Sequence, residues 1–187
     1  MVTDEKERPA LTADDLAEAS RGFEGSVELV RGRVVEHSVP KPPCGTLVGN
    51  VAAALSSWSL SAAAGVVSVR DGILVATRPD TVRVPCVLFT PYDRLPDRKA
   101  PSEWYVVPPS VCVEVISDNE RWSDVERKTN EYLAFGVDEV WLVEQDLRTL
   151  TVVRGDGMRR TVRGEEPVES PALPEFSVKL TDFFWNC

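Results

Sequence analysis

Val111-Cys112-Val113-Glu114-Val115-Ile116 is an apolar run holding a single charge. Its shortness and its β-branched residues predict a strand buried in a sheet. A lone carboxylate in such a strand needs a cation, a metal ion or a proton beside it. A helix signal follows at once. Ser123-Asp124-Val125-Glu126 predicts a capping box, with Ser123 as N-cap and Glu126 three residues on. Gly136 fits the stop. At about 100° per residue, Val125, Lys128, Tyr132 and Phe135 fall on one helix face. Residues 139–144 read as the next strand, so 111–144 is expected to be a right-handed parallel crossover.

Lys128 and Glu114 each carry two readings. The lysine either buries its stem and keeps its ammonium in water, or it points that ammonium at Glu114 or at a phosphate. The glutamate is either a structural ion pair or a ligand for Mg²⁺ or Mn²⁺, hard ions that take carboxylate oxygens and keep waters for chemistry. Glu28, in Val27-Glu28-Leu29-Val30, is a third charge among apolar residues, although a half-exposed strand alternates in this way by itself.

Outward from this unit, residues 1–9 are polar and are expected to be disordered, and 10–187 reads as one domain. Leu11-Thr12-Ala13-Asp14-Asp15-Leu16 opens a helix with Thr12 as N-cap. Residues 27–35 read as two strands about the tight turn Arg31-Gly32, 39–45 as a Pro-rich loop, and 46–60 as a small-residue amphipathic helix. Residues 66–77 are strand-like, with Asp71-Gly72 as a hairpin turn or a bulge. Strands are expected at 82–89, 111–117 and 149–154. Residues 91–110 and 155–172 read as loops, and Phe176 to Trp185 as a closing strand and short helix.

The 187 residues suffice for one domain with a real core. No apolar run reaches the roughly 18 residues of a membrane span, and the charged N-terminus lacks a signal core. The expectation is a cytoplasmic protein with no membrane partner. Net charge −9 opposes non-specific nucleic-acid binding. His37 is the one histidine, which nearly excludes a His-based triad or a multi-His metal site. Cys44, Cys86, Cys112 and Cys187 show no CxxC spacing, so neither a zinc ribbon nor a disulfide frame is indicated. Cys86 alternates with Val82, Val84 and Leu88 and reads as a small buried hydrophobe. A remoter reading brings Cys44, Cys86 and Cys112 to Glu114 as a soft-metal site.

The quoted stretches, taken in order over roughly residues 10–185, resemble the Uma2 family, also called DUF820, of restriction-endonuclease-like proteins. The matching pieces are the opening helix Leu11-Thr12-Ala13-Asp14-Asp15-Leu16, Val27-Glu28-Leu29-Val30-Arg31-Gly32-Arg33-Val34-Val35, Pro79 to Pro85, Val113-Glu114-Val115-Ile116-Ser117, Lys128, Tyr132-Leu133, Gly136-Val137 and Glu139 to Val143. The resemblance implies an α/β fold of the α+β, mixed-sheet kind: a PD-(D/E)xK nuclease core with flanking helices and an added N-terminal β-hairpin. It implies a catalytic and metal site at Glu28, Glu114 and Lys128, with Mg²⁺ or Mn²⁺ as cofactor if the protein is active, and none otherwise. The lysine comes from the helix, since Ile116 stands where a Glu-x-Lys motif would place it. DNA is the implied partner of an active form, a protein partner suits an inactive one, and a homodimer would suit cutting of two strands.

This chain departs from the pattern twice. Cys86 in Pro85-Cys86-Val87 occupies the metal-bridging Asp position, and Cys44-Gly45 replaces a His-Gly pair. A neutral thiol is a poor ligand for a hard ion. The expectation is therefore a nuclease-fold protein with impaired or lost DNA hydrolysis. The alternatives are an active enzyme with a substitute ligand and a non-catalytic protein- or nucleic-acid-binding module.

Overall fold

The computed structural model describes residues 9–20, 26–37, 39–116 and 120–187. The expected tail, Pro9 excepted, and Ser117 of the expected strand lie outside them.

In chain order the elements are α1 (Ala13–Ala19), β1 (Ser26–Val30), β2 (Arg33–His37), α2 (Cys44–Ala62), β3 (Gly65–Val69), β4 (Ile73–Ala76), β5 (Thr81–Arg83) and β6 (Val87–Pro91). Then follow β7 (Val111–Ile116), α3 (Trp122–Phe135), β8 (Glu139–Glu144), β9 (Thr149–Arg154), β10 (Arg159–Arg163), β11 (Pro167–Ser170), β12 (Leu173–Lys179) and α4 (Leu180–Phe183). The architecture is α+β around a mixed six-stranded sheet of order β10-β9-β8-β7-β6-β3. Only β7 and β8 pair in parallel there, with α3 as their connection. A four-stranded sheet, β2-β1-β5-β4, grows from the N-terminal hairpin, and β11-β12 form a separate ribbon.

Alternation along β7 divides the interior. Val111, Val113 and Val115 face a cluster with Leu47, Val51 and Leu55 of α2 and with Trp141. Cys112 and Ile116 face the other cluster, with Val125 and Tyr132 of α3. Each fully buried Leu or Val contributes roughly 1.5–3 kcal/mol. Glu114, between Cys112 and Ile116, is thereby pointed under α3. No helix of the described residues is long and apolar enough to cross a membrane.

Thr12 caps α1 as expected, and its hydroxyl and Asp15 complete a capping box. The capping box expected at Ser123 does not form. The helix starts two residues earlier, with Arg121 at the N-cap and no side-chain cap. Glu126 is drawn instead into a bidentate pair with Arg159 at 2.9 and 2.7 Å, a stronger arrangement than a reach back to an amide. Residues 155–172 hold strands β10 and β11 rather than a loop, because β9 supplies a full antiparallel register to β10. Asp71-Gly72 is neither hairpin nor bulge, since β3 and β4 lie in different sheets. Gly72 lies against the Trp104 ring, where a Cβ would fall 2.5 Å from its carbons, and Leu74 N–H donates to the Tyr105 carbonyl.

The turn Arg31-Gly32 sets the hairpin that carries two residues of the site. Gly32 has φ +74°, and a Cβ there would lie 2.5 Å from Ala10 Cβ. Gly32→Ala is expected to cost about 1–3 kcal/mol through left-handed strain and overpacking. A urea midpoint unchanged from wild type would show that the turn relaxes freely.

Candidate functional site

The register of three strands and one helix face brings the charged residues together. Glu28 opposes Val35 across the β1–β2 hairpin and Ser26 opposes His37, so Glu28 and His37 are diagonal neighbours on one face. Their contact is 2.9 Å, from His37 Nε2 to Glu28 Oε2. Arg83, at the end of β5, donates from Nη1 to the same oxygen at 2.8 Å and from Nε to Glu131 at 2.6 Å. The Val84 amide donates to Glu28 Oε1 at 3.0 Å.

In the central sheet Leu88 opposes Cys112. One step along the same face, two residues on, this antiparallel register places Cys86 beside Glu114. Cys86 Sγ lies 3.9 Å from Glu114 Oε2 and accepts from the Val115 amide at 3.5 Å. From α3, Lys128 and Tyr132 stand one turn apart and both reach Glu114 Oε1, at 3.3 and 2.8 Å. Lys128 Nζ is also 3.1 Å from Glu28 Oε1, and its side chain is only 12% exposed. The ammonium therefore lies between two buried carboxylates rather than in water, and Lys128, Glu114, Glu28 and Cys86 are all brought to one place.

Electrostatics follow from these contacts. Burial alone would push the Glu28 carboxyl up, but His37, Lys128, Arg83 and the Val84 amide together hold it well below the usual carboxylate range. Burial raises Glu114 above that range, against the pull of Lys128. Burial works against the Lys128 charge, but Glu114 and Glu28 hold its ammonium proton well above the usual lysine range. Burial, and then the Glu114 charge, push the Cys86 thiol up to about 12. It is a neutral S–H at physiological pH.

A cleft of about 610 Å³ opens over this cluster, and Lys41, Arg70 and Arg121 are among its lining residues. Each Glu28 oxygen already accepts from two groups: Val84 and Lys128 on Oε1, Arg83 and His37 on Oε2. Glu114 Oε1 accepts from Tyr132 and Lys128. Of the four Glu28 and Glu114 oxygens, Glu114 Oε2 alone has no nitrogen or hydroxyl donor among the described residues; it takes only the weak S–H of Cys86 at 3.9 Å. Hard divalent ions want several oxygens, carboxylate oxygens above all, so this donor set does not fit Mg²⁺ or Mn²⁺. The described residues hold no group of three or more His, Cys, Asp or Glu placed for a metal. The soft-metal reading of the cysteines also fails on position: Cys44 lies in the α2-side cluster and Cys112 in the α3-side cluster.

Sequence reasoning placed Tyr132 on the Lys128 helix face but gave it no role in the site, and it did not single out Arg83 or the attachment of His37 to Glu28. The available signal for Arg83 was the one used for Glu28, a charge between apolar neighbours in Val82-Arg83-Val84.

Comparison with known proteins now gives the fold its relatives. The profile of the Uma2 family, described as "Putative restriction endonuclease", matches residues 14–181. The chain also superposes on the crystal structure of a "putative nuclease belonging to DUF820" from Anabaena variabilis ATCC 29413. The TM-score is 0.79 at 16% identity, over 94% of this chain and 98% of that one. At that identity the likeness shows the fold. No curated protein matches the sequence.

Proposed function

This chain belongs to the Uma2 family, and we propose that it is a nuclease-fold protein whose hydrolysis of DNA phosphodiesters is impaired or lost. The observation that carries this reading is Cys86 Sγ at 3.9 Å from Glu114 Oε2. Where a ligand should help hold a divalent ion there is a protonated thiol, its weak S–H directed at Glu114 Oε2. Loss of one preorganised electrostatic group costs about 10²–10³ in rate, or roughly 2.7–4 kcal/mol. In this reading Glu114 keeps its place as a ligand residue and Lys128 as the cation for developing charge. Glu28 serves as the anchor of Lys128, Arg83 and His37.

The test is supercoiled-plasmid nicking in Mn²⁺ by the whole chain and by Glu114→Ala. We expect the two to be indistinguishable. Wild-type nicking that Glu114→Ala abolishes would overturn the proposal and leave an active Mg²⁺- or Mn²⁺-dependent endonuclease with a substitute ligand. The cations lining the cleft favour a second reading, a nucleic-acid-binding module without cleavage. Retention of DNA on the wild type without nicking would support it.

A further inference from the structure

The His37–Glu28 contact has a fixed direction. Both Glu28 oxygens accept, from the Val84 amide and Lys128 on Oε1 and from Arg83 on Oε2. The hydrogen in the 2.9 Å contact must therefore sit on His37 Nε2. In that tautomer the lone pair lies on Nδ1, which has no hydrogen-bond partner among the described residues. The ring is 36% exposed and lines the same cleft as Cys86 and Glu114. A buried carboxylate that fixes the tautomer and orientation of a half-exposed imidazole is the arrangement that makes a histidine a general base. Lys128 cannot take that role, because two carboxylates keep it charged.

Without a hard-metal site, such a base cannot readily drive water into DNA. It can act on a strand that carries its own nucleophile beside phosphorus, since an internal hydroxyl has a very high effective concentration. We propose that His37, held by Glu28, is the general base of a metal-independent RNA strand cleavage in this cleft. His37 Nδ1 takes the proton of a ribose 2′-hydroxyl, the O2′–P bond forms and the P–O5′ bond breaks. The leaving 5′ oxygen takes a proton from water, and the hydroxide so formed takes back the proton on His37. The products are a 2′,3′-cyclic phosphate and a 5′-hydroxyl, with no net consumption of water and no redox change. Lys41, Arg70 and Arg121 line the cleft beside Glu36, Glu120 and Asp124, and the three cations are the groups that would meet the phosphates.

This inference rests on the reading of the site as unfit for metal-driven hydrolysis, and the two can fail separately. The experiment uses the whole chain in EDTA and a labelled deoxyoligonucleotide with one internal ribonucleotide. The expected result is cleavage at the ribonucleotide alone, with a cyclic phosphate end. His37→Ala should be at least ~10²-fold slower, the usual scale of a general base. His37→Gln, whose amide N–H can still donate to Glu28, should show the same loss while keeping the wild-type fold. Absence of cleavage in EDTA overturns the inference, as does cleavage undiminished in both His37 variants. Cutting of the all-deoxy strand in Mn²⁺ overturns the preceding proposal instead.

Discussion

Cys86→Asp is expected to give the protein a divalent-ion site, and with it Mn²⁺-dependent nicking at least ~10²-fold above wild type. The strand register already aims position 86 at Glu114 Oε2, 3.9 Å from the present sulfur. A carboxylate there would face Glu114 Oε2, which today takes only the weak thiol contact, and two carboxylates with several waters are what such ions take. Lys128 would remain beside the pair. The substitution has a cost without metal, because two facing carboxylates in a buried site oppose each other's ionisation. Cys86→Asp should therefore melt below wild type in EDTA and recover in Mn²⁺ by the mass-action stabilisation of a bound ligand. Wild type should show no such Mn²⁺ dependence. If the variant neither binds Mn²⁺ calorimetrically nor nicks plasmid, the defect extends past position 86, and the nuclease reading of this cleft fails for DNA.

Much of this site was legible because its charges interrupt apolar patterns. Glu114 in a six-residue strand, and Lys128 on a helix face with Val125 and Tyr132, could be read without coordinates, since a period of two and a period of 3.6 fix which way each points. The strand–helix–strand unit followed from the same periods. Arg83 was not legible. Alternation in Val82-Arg83-Val84 reads as a half-exposed strand, and only the order β2-β1-β5-β4, with Glu131 of α3 bonded to Arg83, makes that position interior. The strand β10 was hidden for the converse reason. Arg159-Arg160-Thr161-Val162-Arg163 has one apolar residue, and its strand character comes from pairing with β9. The start of α3 was misplaced because Glu126 had a better partner across space, Arg159, than its own helix end. Local rules failed wherever a long-range charge pair competed with them.

Arg83→Met is expected to destabilise the fold by about 3–5 kcal/mol, the usual effect of breaking a buried ion pair by removing one partner. The Arg83 side chain is 2% exposed and the Glu28 side chain 1%, so neither charge can turn to water when the other is lost. Glu131 is different: it is 26% exposed and can be rehydrated, so the loss should fall mainly on Glu28. The pH dependence identifies the cause. Glu28 has a folded value below the ordinary one, so its contribution is fully present above the ordinary carboxylate range. It disappears as pH falls through the depressed value. Removing Arg83 shrinks the depression, so acid unfolding of Arg83→Met should begin at higher pH than that of wild type. Arg83 Nη2 is buried with no partner among the described residues, which means that the guanidinium is itself incompletely compensated. Arg83→Met combined with Glu28→Gln should therefore lose less than the two single changes summed. Urea unfolding of the four proteins at neutral and acid pH decides the matter. Additive losses, or a single-site loss under ~1 kcal/mol, would mean that His37 and Lys128 hold Glu28 without Arg83, and that the guanidinium is a passive core filler rather than the cation the site is built on.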